Sequence, residues 1–387
     1  MPRNLTPDHD LADQFRALEA AVSREDFPES MERVAARADQ WILDFLHQRE
    51  TDGTTPDLTV LLDRVSRFNA LVTCRIIQHR ITAIQTQNHI SPPLPFCWIT
   101  MGSDARGEQV VRTDQDNALI YADPLSGREQ EAREYFNTLA LAVTKDLDQF
   151  GFTLCKGEVM ASNPDWCRSL GQWLQALDSW VGSTDPMAIR KLTILLDFKA
   201  VFGDRRLAAM LQARVFENFA RHEAASHFLV RDDQLFAAPM TRFNRIRTRR
   251  KKGAKKCFNL KTQGIAHLVN GARLFAVNHG IRIPSTLKRM EQLKEDRVIT
   301  EEEYREYTRA FTFLTRLKLT SHLKGQPGHE QDGTPLDQAP SLPENCIDIS
   351  RMPSGELKEL RRALSAVTRF QKKMAGTYNQ AWMNFFN

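Results

Sequence analysis

The chain has 387 residues, 42% apolar and 26% charged, which excludes a wholly disordered polypeptide and leaves room for two or three domains. No run of about 18 apolar residues occurs, so a membrane-spanning helix is excluded, and the opening MPRNLTPDHDLADQF lacks the apolar stretch of a secretory leader. The net charge of +5 does not demand a nucleic-acid partner, and six scattered cysteines without a CxxC argue against zinc modules or a disulfide framework and suit a cytoplasmic protein with reduced thiols.

In chain order, residues 5–50 carry two helical patterns: Leu11, Phe15, Leu18 and Val22, then Met31, Val34, Ala38, Trp41, Ile42 and Phe45. After a TDGTTPD loop, Asp57 can cap a third helix reaching about Thr86. Pro92, Pro93 and Pro95 forbid helix and inner strand alike, which predicts a boundary between a helical region, 1–90, and a second domain, 91–204. Within that domain the pattern predicts strands at Phe96–Met101, Ala118–Tyr121, Gly151–Leu154 and Leu192–Val201, with a helix over 128–149. From 205 to 387 the chain again predicts helices, at 205–230, 262–280, 285–294, 300–322 and 355–384, with a long loop over 325–354.

The chemistry concentrates in WITMGSDARGEQVVRTDQDNALIYAD, residues 98–123. Gly102-Ser103 at a strand end lets backbone approach a phosphate and adds a hydroxyl. Asp114 and Asp116 stand two apart, so on a strand both carboxylates share one face. Such a pair repels itself unless a divalent cation intervenes, and Mg²⁺ or Mn²⁺ carrying a nucleoside triphosphate is the natural occupant. Asp197, read as lying inside an apolar strand, is the candidate third carboxylate and the candidate acceptor of a hydroxyl proton. Asp-X-Asp alone is common in turns, and Gly-Ser alone is equally weak. Their ordered combination between strands is much more specific.

Those residues also carry a family resemblance. GSDARGEQ followed by TDQDNALIY resembles the DNA-polymerase-β-like nucleotidyltransferase superfamily. More narrowly it resembles nucleotidyltransferases often fused to cyclic-nucleotide-binding and CBS domains and related to the PII-protein uridylyltransferase. The likeness extends through KGEVMASNPDW (156–166), LLDFKAVFGD (195–204) and LKTQGIAHLVNGARLFAV (260–277) to the helical end of the chain. It implies an α+β fold, with a small mixed sheet between an N-terminal helical region and a C-terminal helical domain, 205–387, called substrate-binding by analogy. It implies Mg²⁺-dependent transfer of a nucleoside monophosphate from a triphosphate to a hydroxyl, with Gly102 and Ser103 on triphosphate oxygens and Asp114, Asp116 and Asp197 as catalytic and metal-binding carboxylates. Arg106 suits a phosphate contact, as does Lys156 beyond the expected third strand. Lys199 stands where the family commonly has Arg, supplying a point charge without a fork. Asp104 departs from the small residue or Glu usual there, and Glu108 receives no role.

The implied acceptor is a hydroxyl on a regulatory protein, by likeness to the uridylyltransferase; a small-molecule acceptor and a non-catalytic, nucleotide-sensing module are the alternatives. From Arg242 to Lys261 ten of twenty residues are basic and none acidic, most simply a solvated loop. Its few aromatics argue against a single-strand stacking platform, and nucleic acid is not the expected partner. An enzyme acting on nucleic-acid ends, a further alternative, would need the run to form a continuous groove. The helices before residue 90 are expected to pack on the catalytic segment or on a second copy of the chain.

Overall fold

The computed structural model describes residues 7–24, 27–51, 57–110, 112–235, 238–241, 245–247, 257–324 and 345–385. The chain divides into two compact units, Met1–Trp180 with Ile194–Val215, and Val181–Thr193 with Phe216–Asn387. The expected α+β class holds: a small mixed sheet is flanked in sequence by N- and C-terminal helical regions.

The first unit opens with three helices, α1 (Pro7–Val22), α2 (Phe27–Thr51) and α3 (Leu58–Asn88). Asp57 caps α3 as expected, accepting from Thr59 N at 3.0 Å. The sheet contains β1 (Phe96–Met101), β2 (Asn117–Tyr121), β3 (Cys167–Ser169) and β4 (Phe198–Gly203), in the order β3-β2-β1-β4. β1 lies antiparallel to β2 and to β4, while β2 and β3 run parallel. The remaining helices are α4 (Gly102–Ala105), α5 (Glu129–Phe150), α6 (Leu170–Val181), α7 (Pro186–Leu195) and α8 (Arg205–Arg221), the last three each crossing the division between units.

Aromatic contacts run from the N-terminal helices to the sheet. Phe15 of α1 lies 4.7 Å from Trp41 of α2 and 6.2 Å from Phe68 of α3, and Phe68 lies 6.3 Å from Phe150 of α5. Phe136 of α5 stacks on Tyr121 at 4.7 Å and meets Phe96 at 5.4 Å. Each buried ring is worth roughly 1.5–3 kcal/mol, so α1–α3 and the sheet share a core within one unit. Arg80 of α3 adds a forked ion pair to buried Asp146 of α5.

Two expected strands are corrected. Gly151–Leu154 is a turn leaving α5: Gly151 takes φ 108° and Phe152 N bonds back to Leu147 O at 2.9 Å. The third strand is Cys167–Ser169 instead. The apolar run from Leu192 is helical through Leu195, and strand begins only at Phe198, because a short apolar run does not separate buried helix from buried strand. Asp197 therefore sits in the turn before β4 rather than inside a strand.

At the far end of β4 a Cβ on Gly203, where φ is 87°, would stand 2.1 Å from Phe96 O. Gly203→Ala is expected to cost roughly 3 kcal/mol through clash and strain, read as a shift in the urea midpoint.

The second unit contains α9 (Glu223–Gln234), a two-stranded antiparallel sheet of β5 (Cys257–Asn259) with β6 (Cys346–Asp348), α10 (Ala266–Asn278), α11 (Thr286–Glu295), α12 (Glu301–Lys324) and α13 (Ser354–Phe385). The expected helix 205–230 is thus broken at His222. Gly271 of α10 lets α13 approach, since a Cβ there would meet the Phe370 ring at 2.5 Å. Most of the basic run, 242–244 and 248–256, and loop residues 325–344 lie outside the described residues.

A buried polar cluster joins three of these helices. Asp233 accepts from Asn270 Nδ2 at 2.7 Å and Gln371 Nε2 at 3.0 Å and pairs with His267 Nδ1 at 2.9 Å. Burial pushes the Asp233 carboxyl upward, but the His267, Gln371 and Asn270 contacts outweigh it and hold the group below the ordinary carboxylate range. A depressed folded value stabilises above the unfolded pKa. The Asp233 contribution should therefore be complete above about pH 5 and fade as pH falls through about 4 and below. In Asp233→Asn that acid-dependent loss should be smaller, measured by urea unfolding of the two proteins between pH 3 and 6.

Candidate active site

The site forms within the first unit, where the middle strand ends. Met101 N donates to Asp116 O at 2.8 Å, and Gly102 N donates to Asp197 O at 3.0 Å. The Gly-Ser turn, the Asp-X-Asp segment and the turn carrying Asp197 therefore meet through backbone bonds. Gly102 takes φ 58°, and a Cβ there would stand 2.7 Å from Asp116 Oδ2. Glycine is required for both reasons: the left-handed backbone and the space beside that carboxylate. Arg106 N and Glu108 N then donate to Gly102 O and Ser103 O, closing the short helix α4.

Asp114 and Asp116 precede β2 in extended backbone, and burial alternates through them. Asp114 is exposed and Asp116 half-buried, while Gln115 and Asn117 are buried. Gln115 donates from its backbone to Thr153 O and from Nε2 to Thr144 O and Phe152 O at 3.1 and 3.0 Å. Asn117 donates to Gln115 Oε1 and accepts from Ala161 N at 2.8 Å. The inward amides hold the segment so that the intervening acids lie on its outer side. Thr153 Oγ1 adds a bond to Asp114 Oδ1 at 3.2 Å. These two amides were not recognised from sequence, although a polar residue alternating with acids at a strand entry implies buried partners.

Asp197 is wholly buried. Arg106, 11% exposed, bridges it and Glu108: Nη1 reaches Asp197 Oδ2 at 2.7 Å and Nε reaches Glu108 Oε2 at 2.6 Å. Burial alone would lower the guanidinium pKa, but the two carboxylates reverse that and raise it. Glu108 thus has a place as the second acid on Arg106.

Among the described residues no three His, Cys, Asp or Glu side chains are grouped closely enough to hold a metal ion. The structure brings Gly102 beside Asp116 and ties Arg106 to Asp197, but does not gather Asp114, Asp116 and Asp197 into one ligand set. Asp114 and Asp116 fit a hard divalent cation, being oxygen donors on the outer side of one anchored segment, with space beside Asp116 that only glycine leaves. Asp197 in its ion pair does not fit as a third ligand.

Lys199 is exposed on β4, directly opposite Thr100 in register. Thr100 Oγ1 donates to Asp104, whose carboxyl is raised by burial, tempered by that bond and by the Lys199 charge. Lys156 is exposed in the turn after Cys155, whose thiol lies beside Asp116. Ser103 is half-buried in α4.

Residues 51–187 match the family described as putative nucleotidyltransferase DUF294, and residues 223–378 match its putative nucleotidyltransferase substrate binding domain. The chain belongs to this nucleotidyltransferase family. The family match covers Gly102 to Asp116 and stops short of Asp197 and Lys199, which lie between the two matched ranges. Nucleotidyl transfer in general, with a triphosphate donor and a divalent metal, is the activity the matched domains suggest. Comparison with curated proteins gives no match. No helix among the described residues is long and apolar enough to cross a membrane.

Proposed function

We propose that this chain is a Mg²⁺- or Mn²⁺-dependent nucleotidyltransferase that moves a nucleoside monophosphate from a triphosphate to a hydroxyl on a regulatory protein, in a cytoplasmic signalling role. One observation carries the reading: the Asp116 carboxylate lies against the Gly102 turn, so a triphosphate held by Gly102 and Ser103 would lie beside Asp116. Asp114 and Asp116 would hold the divalent ion, which when bound neutralises triphosphate charge and makes the attacking hydroxyl more acidic. The exposed ammonium groups of Lys156 and Lys199 are available to phosphate oxygens. Arg106 is engaged by two carboxylates and serves to fix the Asp197 turn. The hydroxyl proton would pass to Asp197 only after Asp197 exchanges its Arg106 partner for the acceptor. The protein acceptor follows from the likeness to the PII uridylyltransferase.

The Asp197–Arg106 pair itself favours a second reading, a module that binds nucleotide and reports it without transfer. Incubation with each α-labelled triphosphate, Mg²⁺ and candidate acceptor proteins separates the two. Label on an acceptor together with released pyrophosphate supports transfer; nucleotide bound and recovered intact with every acceptor supports sensing.

A further inference from the structure

The segment bearing Asp114 and Asp116 is held on one side by the strip at the end of α5: Gln115 bonds to Phe152 O and Thr153 O, and the Thr153 hydroxyl to Asp114. Two residues before Asp114, Arg112 turns away from solvent, 10% exposed, and is held from another direction. Its Nη2 donates to Ala35 O at 3.1 Å and to the Asp39 carboxylate, both on α2. Its guanidinium lies over the Phe150 ring, 5.2 Å from the centroid. Gly151 makes room: a Cβ there would stand 2.9 Å from Arg112 Nε. A buried guanidinium is costly unless paired, and an apolar residue would fill the space without that cost. What arginine adds is a planar fork that grips a helix carbonyl and a carboxylate together.

Ala35 and Asp39 lie outside both ranges matched by the family, which begin at residue 51. We infer that α2 is part of the machinery of the site: Asp39 and Ala35 O, acting through Arg112, set the position of Asp114 and Asp116. Arg112 and Asp39 are positioning residues, and a partner that shifts α2 would change metal binding without touching the acids. The metal half of this inference rests on the proposed function; the positional half does not.

The test uses the full chain and Asp39→Ala, Asp39→Asn and Asp39→Glu, with two readouts. Asp39→Ala and Asp39→Asn should speed amide exchange across 112–117 about tenfold, with far-UV circular dichroism unchanged. Both should weaken Mn²⁺ binding about tenfold, the effect typical of losing a residue that orients a metal ligand, and Asp39→Glu should recover most of each loss. A merely structural role would lower the thermal midpoint and leave exchange at 112–117 and Mn²⁺ affinity unchanged, which overturns the inference. Unchanged exchange in Asp39→Asn overturns it even if Asp39→Ala misfolds. If wild type binds no Mn²⁺, the metal reading fails, and the exchange arm still decides whether α2 holds the segment.

Discussion

Replacing Asp114 and Asp116 together by asparagine is expected to abolish Mg²⁺-dependent nucleotide binding and transfer, with a loss of at least about 100-fold, while leaving the fold intact. The size follows from removing both formal charges that a hard cation needs, since a neutral amide oxygen is a poor substitute for a carboxylate on Mg²⁺. The intact fold follows from where the segment is anchored. Its attachment runs through the Gln115 and Asn117 side chains, backbone bonds to Thr153 O and Val159 O, and Asp116 O accepting from Met101 N, none of which the substitution alters. Asp114 is exposed, and asparagine retains an oxygen for Thr153. Pyrophosphate release and calorimetric titration read the loss; the urea midpoint reads the fold. Turnover equal to wild type would end the assignment of these acids.

The second large effect is on stability. Arg106→Met should destabilise the first unit by about 3–5 kcal/mol, because it strands two carboxylates that are almost without solvent access, Asp197 and Glu108. Arg106→Lys should recover only part of that, since one ammonium cannot reproduce bonds from Nε and Nη1 to two different acids. Combining Arg106→Met with Asp197→Asn and Glu108→Gln should cost less than Arg106→Met alone, because the uncompensated charge is gone. Urea unfolding of the series measures each step. A cost below about 1 kcal/mol for Arg106→Met would show that the triad contributes no more than a surface pair.

Much of this geometry was legible in the residues. Helical spacing placed α1–α3 and α10–α13, and the prolines at 92, 93 and 95 marked the entry to β1. Gly102, Asp114 and Asp116 were readable because a turn glycine and paired acids at a strand entry have a local signature. Asp197 was readable as a buried acid and not as a turn residue, because Leu192–Leu195 is equally apolar as helix or strand. The ion pairs of Arg106 were not legible for a different reason. A phosphate contact is suggested by its neighbours in sequence, whereas its partner Asp197 is 91 positions away and the ion pair exists only after β4 forms beside β1. Arg112 carried no signal at all, since its partners Ala35 and Asp39 come from a helix more than 70 positions upstream.

The most direct test of the central claim is calorimetric titration of wild type with ATP, UTP, GTP and CTP, each with and without Mg²⁺. The account predicts binding of at least one of the four that depends on Mg²⁺. Binding of equal strength without the metal, or binding of none, would contradict it.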